Sequence, residues 1–351
     1  MGIEHLASSL ANLPAFVVTW LTFSVAGVIS FLIVIISNHR RLGLRGLLGH
    51  CFPFDRWRQK SARMDIKLYI AGKITDKIYA GLAPLCTLFI SDLTREVFKF
   101  VFPNHLAAQP TYFIIVCCSL IIFFVSELSY YITHYLQHYV PALWEIHKVH
   151  HSAKFLNPLT ARRGHPLGFV FDETISAIFV GILAGSFLML FKFNLADVLF
   201  LYACASKLGT VITMDALKHS HFSVSFGPLE GILISPYMHQ IHHSTKEEHW
   251  DKNFGINLSI WDWIFGTGFK PRNYEEIIYG LGDGEEHDYD KFWGVYAGPL
   301  LKMWRLVVGE RSSGSVSEPP ALDRISFGSG VLWRKSGASN SAGDERSLAA
   351  D

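Results

Sequence analysis

The stretch IIVCCSLIIFFVSELSYYITHYLQH, residues 114–138, decides how this chain is read. It opens as an apolar run of the length that crosses a bilayer, and it ends on His134 and His138. A spacing of four puts both imidazoles on one helical face. The following residues, HYVPALWEIHKVHHS (138–152), add His147, His150 and His151, with Pro141 letting the chain turn between the two groups. A third group, His239, His242 and His243, repeats the H-x-x-H-H spacing. Each of these two boxes pairs position i with i+3 and i+4, which predicts imidazoles on one helix face. His219 stands alone, with His221 two residues on. Of the 17 histidines, twelve fall between His134 and His249, a crowding that neither solubility nor core packing requires.

Composition sets the surroundings. Half of the 351 residues are apolar and 17% are charged, which suits a membrane protein better than a soluble enzyme. A net charge of +1 with no basic patch argues against nucleic acid as a partner. The five cysteines form no C-x-x-C; adjacent Cys117 and Cys118 read as small apolar filler.

The expected fold is all-α: an integral-membrane helical bundle of about four or five membrane helices, carrying a histidine-rich helical cap that faces the cytoplasm. The clearest span runs from Pro14 to Ser37, long enough for a hydrocarbon core of about 30 Å. His39, Arg40, Arg41 and Arg45 follow it and put its C-terminal end inside. A weaker span, Ile78 to Phe102, is interrupted by Asp92, Arg95, Glu96 and Lys99; others run Thr111–Thr133, Phe169–Phe191 and Leu195–Met214. If all five cross, every crowded histidine emerges on one membrane face. The expected division is an N-terminal helix with its basic flank (1–50), a histidine-box domain (51–270), a C-terminal cap segment (271–309) and a disordered Ser/Gly/Ala-rich tail (310–351).

A lone histidine is ordinarily a surface or core residue. Two H-x-x-H-H boxes and an H-x-x-x-H expected at one membrane face point instead to a metal site, since unprotonated imidazole ligates Fe, Zn, Cu and Ni. Nine histidines exceed one ion's needs and give two ions four or five donors each. The metalloprotease pattern H-E-x-x-H is absent, as is the Glu-x-x-His pattern of soluble di-iron bundles.

In the order of its boxes the chain resembles the fatty acid hydroxylase / sterol desaturase superfamily. NPLTARRGHP (157–166), LKHSHFSVSFGPLEGILISPYMHQIHHS (217–244) and DKNFGINLSIWDWIFGT (251–267) extend the resemblance, which covers roughly Cys51 to Thr267. The GPLE and WDWIFGT portions are also similar to alkylglycerol monooxygenases. The resemblance implies a membrane-bound, non-haem di-iron, O2-dependent hydroxylase or desaturase acting on a lipid. It implies His134, His138, His147, His150, His151, His219, His239, His242 and His243 as metal ligands. It implies two Fe ions, O2 as co-substrate and electrons from a separate protein, either a b-type cytochrome or a ferredoxin with its reductase. The membrane is a bacterial inner membrane or the endoplasmic reticulum. The alternatives are a membrane-surface zinc hydrolase and a non-catalytic metal carrier.

Supporting residues follow from position. Glu127 lies on the stripe of Tyr131, His134 and His138; it is expected either to fix a ligand imidazole by a hydrogen bond or to form a salt bridge between spans. Asp215, four residues before His219, is expected to orient an imidazole. Asp251 and Asn253 are expected to hold the loop after the third box, and Trp250, Trp261 and Trp263 to anchor or pack at the interface. His165 and His221 have no assigned role.

Overall fold

The lengths of the apolar runs set the elements. The computed structural model describes residues 53–308 apart from 194, 272 and 283, together with isolated positions 28, 32, 46 and 49. The chain divides into a unit of residues 1–304 and a unit of residues 305–351; of the second, only the helical residues 305–308 are described. Apart from Val28 and Leu32, the expected first span falls outside the described residues, as does the tail expected from residue 310.

The described residues are helical, with three isolated bridges and no named strand. A short helix α1 (Phe54–Trp57) precedes α2 (Lys60–Val101), α3 (Tyr112–Tyr139), α4 (Pro141–His151), α5 (Pro166–Leu190) and α6 (Leu195–Ile212). The short helices α7 (Asp215–Lys218), α8 (Pro236–His242) and α9 (Ile260–Phe265) follow, and α10 (Phe292–Val308) closes the series. Two of these, α3 and α5, are long and apolar enough to cross a membrane. The expected second span is the C-terminal part of the 42-residue α2, whose charged residues keep it out of that class.

Prolines set the junctions around the boxes. Val140 is extended because the following Pro141 disfavours helix there, so α3 ends and α4 restarts with Pro141 in its first turn. The turn expected between the first two boxes is therefore present. His165 caps α5: its Nδ1 accepts from Leu167 N at 3.2 Å, and its Nε2 donates to Tyr296 O at 3.0 Å. That gives the unassigned His165 a structural role.

The long helices pack in series, α2 along α5, α5 against α3, and α3 against α6. The α2–α5 contact needs small residues. A Cβ at Gly185 would lie 2.4 Å from Ser91 O, and one at Gly181 would lie 2.8 Å from Ile90 Cβ.

The segment after the second box is held by a buried ion pair. Arg163 Nη1 donates to Asp65 Oδ1 at 2.8 Å, with the two side chains 1% and 0% exposed. Arg163 also donates to Val149 O and Ser152 Oγ, while Asp65 accepts from Asn157 Nδ2 and Thr160 Oγ1. Every partner of the two charges is thus supplied by the box-bearing helix, the loop after it or α2. Asp65→Ala is expected to lower unfolding free energy by about 3–5 kcal/mol, because it strands a buried guanidinium. Denaturant unfolding in detergent measures this; a loss under about 1 kcal/mol would show that Arg163 finds another partner.

Candidate metal centre

The boxes lie where helices end. The first closes α3, the second closes α4, and the third occupies α8 and the residue after it. His219 directly follows α7. All nine candidate histidines come together, in two groups. His134, His138, His147, His151 and His242 each offer a ring nitrogen within 4.8 Å of the others, and His150, His219, His239 and His243 do the same. The groups adjoin: the rings of His151 and His243 stack at 4.6 Å.

The expectation that each H-x-x-H-H box serves a single face needs correction. His147 and His151, four apart, join the first group, whereas His150 joins the second. In the third box His239 and His243 join the second group and His242 the first. A helix turns about 100° per residue, so the i, i+4 pair stays together and the i+3 histidine points to the neighbouring group.

Hydrogen bonds fix the tautomers of several rings. Nδ1 meets a backbone carbonyl in three of them: His134 with Phe254 O at 2.8 Å, His150 with Arg163 O at 3.0 Å and His242 with Lys252 O at 2.7 Å. A carbonyl only accepts, so Nδ1 carries the proton and Nε2 keeps a free lone pair. His147 Nδ1 meets Gln137 Oε1 at 2.9 Å, and Gln137 Nε2 donates to Asp172 Oδ1 at 2.6 Å. The Asp172 carboxylate orients the amide, which orients the ring. His138 Nδ1 meets Asp251 Oδ1 at 3.2 Å.

The Nε2 atoms of the two groups lie close together. Nε2 atoms approach at 3.0 Å for His239 and His219, 3.1 Å for His219 and His150, and 3.2 Å for His138 and His151. His134 Nε2 and His242 Nε2 are buried without a hydrogen-bond partner. Burial, the largest cause, holds His147, His151, His219, His239, His242 and His243 well below the ordinary imidazole value and takes His150 to about 4. Neutral lone pairs crowded in this way are unfavourable alone and suit a cation between them. The donor chemistry therefore fits two metal ions, with five nitrogens available to one and four to the other.

Two expected supports act elsewhere. Glu127 reaches neither an imidazole nor a cation: its carboxylate accepts from Asn257 N and Asn257 Nδ2, each at 2.9 Å, and from Leu258 N at 3.0 Å. Three correctly placed amide donors in the loop after the third box outcompete the ring. Asp215 pairs with Lys218 Nζ at 3.0 Å instead of His219, because the lysine is one turn away on the same short helix. The orienting part expected of Glu127 is taken by Asp251 and Gln137. Asn253 holds the loop as expected, donating to Met238 O and Phe269 O. His221 lies outside both groups, near Phe155.

Gln240 was not visible as a site residue. It is fully buried; its Nε2 donates to Leu217 O, Ser220 O and Phe222 O, while Ser223 Oγ donates to its Oε1. It therefore locks the third box to the segment carrying His219. Its place between two box histidines was the only signal in the sequence.

A cavity of about 560 Å³ opens on the centre, with His147, His150, His219 and His239 in its wall. Asp172, Glu173, Asp215, Lys73 and Arg162 also line it.

Residues 119–267 match the fatty acid hydroxylase family. This bears out the resemblance carried by the boxes, and the matched fatty acid hydroxylase segment contains all nine histidines. Alkylglycerol monooxygenase from Danio rerio is 32% identical over 160 residues, 44% of this chain and 31% of that protein. Ornithine lipid hydroxylase OlsE from Rhizobium tropici is 31% identical over 157 residues, 45% of this chain and 43% of that protein. Methylsterol monooxygenase 1 from Rattus norvegicus is 26% identical over 162 residues, 46% and 50% respectively. The chain thus spans between about a third and a half of the length of these relatives. No solved structure matches it at a significant level.

Glu127→Ala leaves buried amide donors of residues 257–258 unpaired, at about 1–3 kcal/mol each. The expected outcome is a lower melting temperature and faster proteolytic cleavage near residues 255–259, and an unchanged melt would contradict the assignment.

Proposed function

We propose that this protein is a membrane-bound, O2-dependent hydroxylase or desaturase of a lipid, with two non-haem iron ions held by the nine histidines. The observation that carries the reading is the convergence of neutral imidazoles into two adjoining groups within the fatty acid hydroxylase segment. The relatives' names, which speak of alkylglycerol, ornithine lipid and methylsterol, support a lipid substrate and oxygen chemistry.

His134, His138, His147, His151 and His242 would hold one ion, and His150, His219, His239 and His243 the other. The irons would supply the O2 and C–H chemistry that side chains lack. The chain's own residues have three tasks. The Nδ1 hydrogen bonds keep the Nε2 atoms turned inward before any ion arrives, which removes a reorganisation cost. The cavity wall offers a substrate an approach to both groups, through His147 of the first and His150, His219 and His239 of the second. His134, His138, His151, His239, His242 and His243 are buried, which keeps bulk water from those rings. Helices α3 and α5 would cross the membrane with two or three more segments, leaving the boxes at the cytoplasmic face, and electrons would come from a separate donor protein.

Metal analysis of purified protein should find iron, about two per chain by the donor count. Cells supplied with labelled O2 should show a lipid that gains one labelled oxygen, or a double bond, only when the protein is present. Zinc without O2 consumption would replace this reading with a hydrolase. His150→Ala and His242→Ala should each abolish turnover while the protein still inserts in the membrane. Asp172→Leu frees the Gln137 amide to turn over and should weaken iron retention by about 10–100-fold, read by metal content, not by activity alone.

A further inference from the structure

A third group of donors lies outside the nine histidines. Glu248, His249 and Glu275 present donor atoms within 4.8 Å of one another. His249 ends the short turn Glu247–His249 that follows the third box. Its side chain is 2% exposed, and neither ring nitrogen has a hydrogen-bond partner. The ring is aimed at the carboxylates: Nε2 lies 3.8 Å from Glu248 Oε1 and 3.9 Å from Glu275 Oε2. Phe269 covers the imidazole, with ring centroids 5.1 Å apart.

Lys246 accounts for part of this arrangement. Its Nζ bonds Glu275 Oε2 at 2.6 Å and also contacts Glu248 Oε1. An ammonium has only protons to offer, so it satisfies the carboxylates; it is not bonded to the imidazole. A divalent cation satisfies all three groups at once. The set of one imidazole and two carboxylates suits zinc, which favours nitrogen and oxygen donors in a tetrahedral site with room for water.

We propose that Glu248, His249 and Glu275 form a zinc site distinct from the histidine boxes, in which Lys246 is a tethered cation that the metal displaces. The site would act as a clasp. Glu275 lies in a segment already held to the third box: its N donates to Tyr237 Oη at 2.8 Å, and Thr245 N donates to Ile278 O at 2.9 Å. A metal bridging residues 248–249 to 275 would fasten the loop after the third box to that segment. The inference is independent of the proposed function, because none of its residues belongs to the nine.

The test uses the full chain in detergent with its histidine centres already filled, titrated with Zn²⁺ alone and followed by elemental analysis of zinc and iron together. One further zinc per chain is expected. Glu275→Gln and His249→Gln should weaken it by more than about tenfold, since loss of even a hydrogen-bonding partner around a metal costs that much, with iron content unchanged. Lys246→Met should bind the same zinc more tightly. The proposal is overturned if neither the natural chain nor Lys246→Met takes up further zinc, or if Glu275→Gln binds it as the natural chain does. His249 is buried and its variant carries a folding risk; Glu275 and Lys246 lie nearer the surface and keep the outcome decisive.

Discussion

Everything in the described bundle answers to one electrostatic constraint: a crowd of unprotonated imidazole nitrogens must face each other inside a low-dielectric interior. Left free, the rings would turn to share protons or to reach solvent. Five of them, His134, His138, His147, His150 and His242, are held by acceptors behind them, three of which are main-chain carbonyls that have no proton to give. The backbone of residues 252–254 and of Arg163 therefore sets the chemistry of the centre as directly as the histidines do.

Those carbonyls need supports of their own, and the remaining buried polar groups supply them. Asp65 and Arg163 place the carbonyl behind His150; Asn253 and Asp262 shape the turn that offers Phe254 O, with Asp262 accepting from Phe254 N at 2.7 Å and Gly255 N at 2.8 Å. Glu127 reaches the same loop at Asn257 and Leu258. Polar satisfaction, not apolar contact, is what makes the centre rigid, since a half-satisfied network at this depth would be costly.

Local spacing made the histidines legible. Four-residue separations, and a proline between boxes, translate directly into helix faces and a turn. The helices α3 and α5 were legible from apolar length. What stayed hidden depends on distance along the chain. Glu127 bonds residues 130 and 131 positions away, Asp65 meets Arg163 across 98, and nothing local signals either partner. The sequence shows the Glu127 carboxylate but not its amide partners, so Glu127 is expected on an imidazole or in a salt bridge between spans, and Asp215 on an imidazole; the structure pairs them with residues 257–258 and with Lys218 instead. Gln137 and Gln240 escaped notice because an amide next to histidines looks like filler until its partners are known.

One feature of the boxes reaches beyond bonding. The neighbours His150 and His151, and likewise His242 and His243, belong to different groups. The two groups are thus stitched together twice, each time by a single peptide unit, so covalent geometry joins bundle packing in setting their separation. At these two points the groups cannot part without moving a backbone segment that they share. The same stitching makes the spacing within each box unforgiving, because the i+3 histidine and its i+4 neighbour serve different groups.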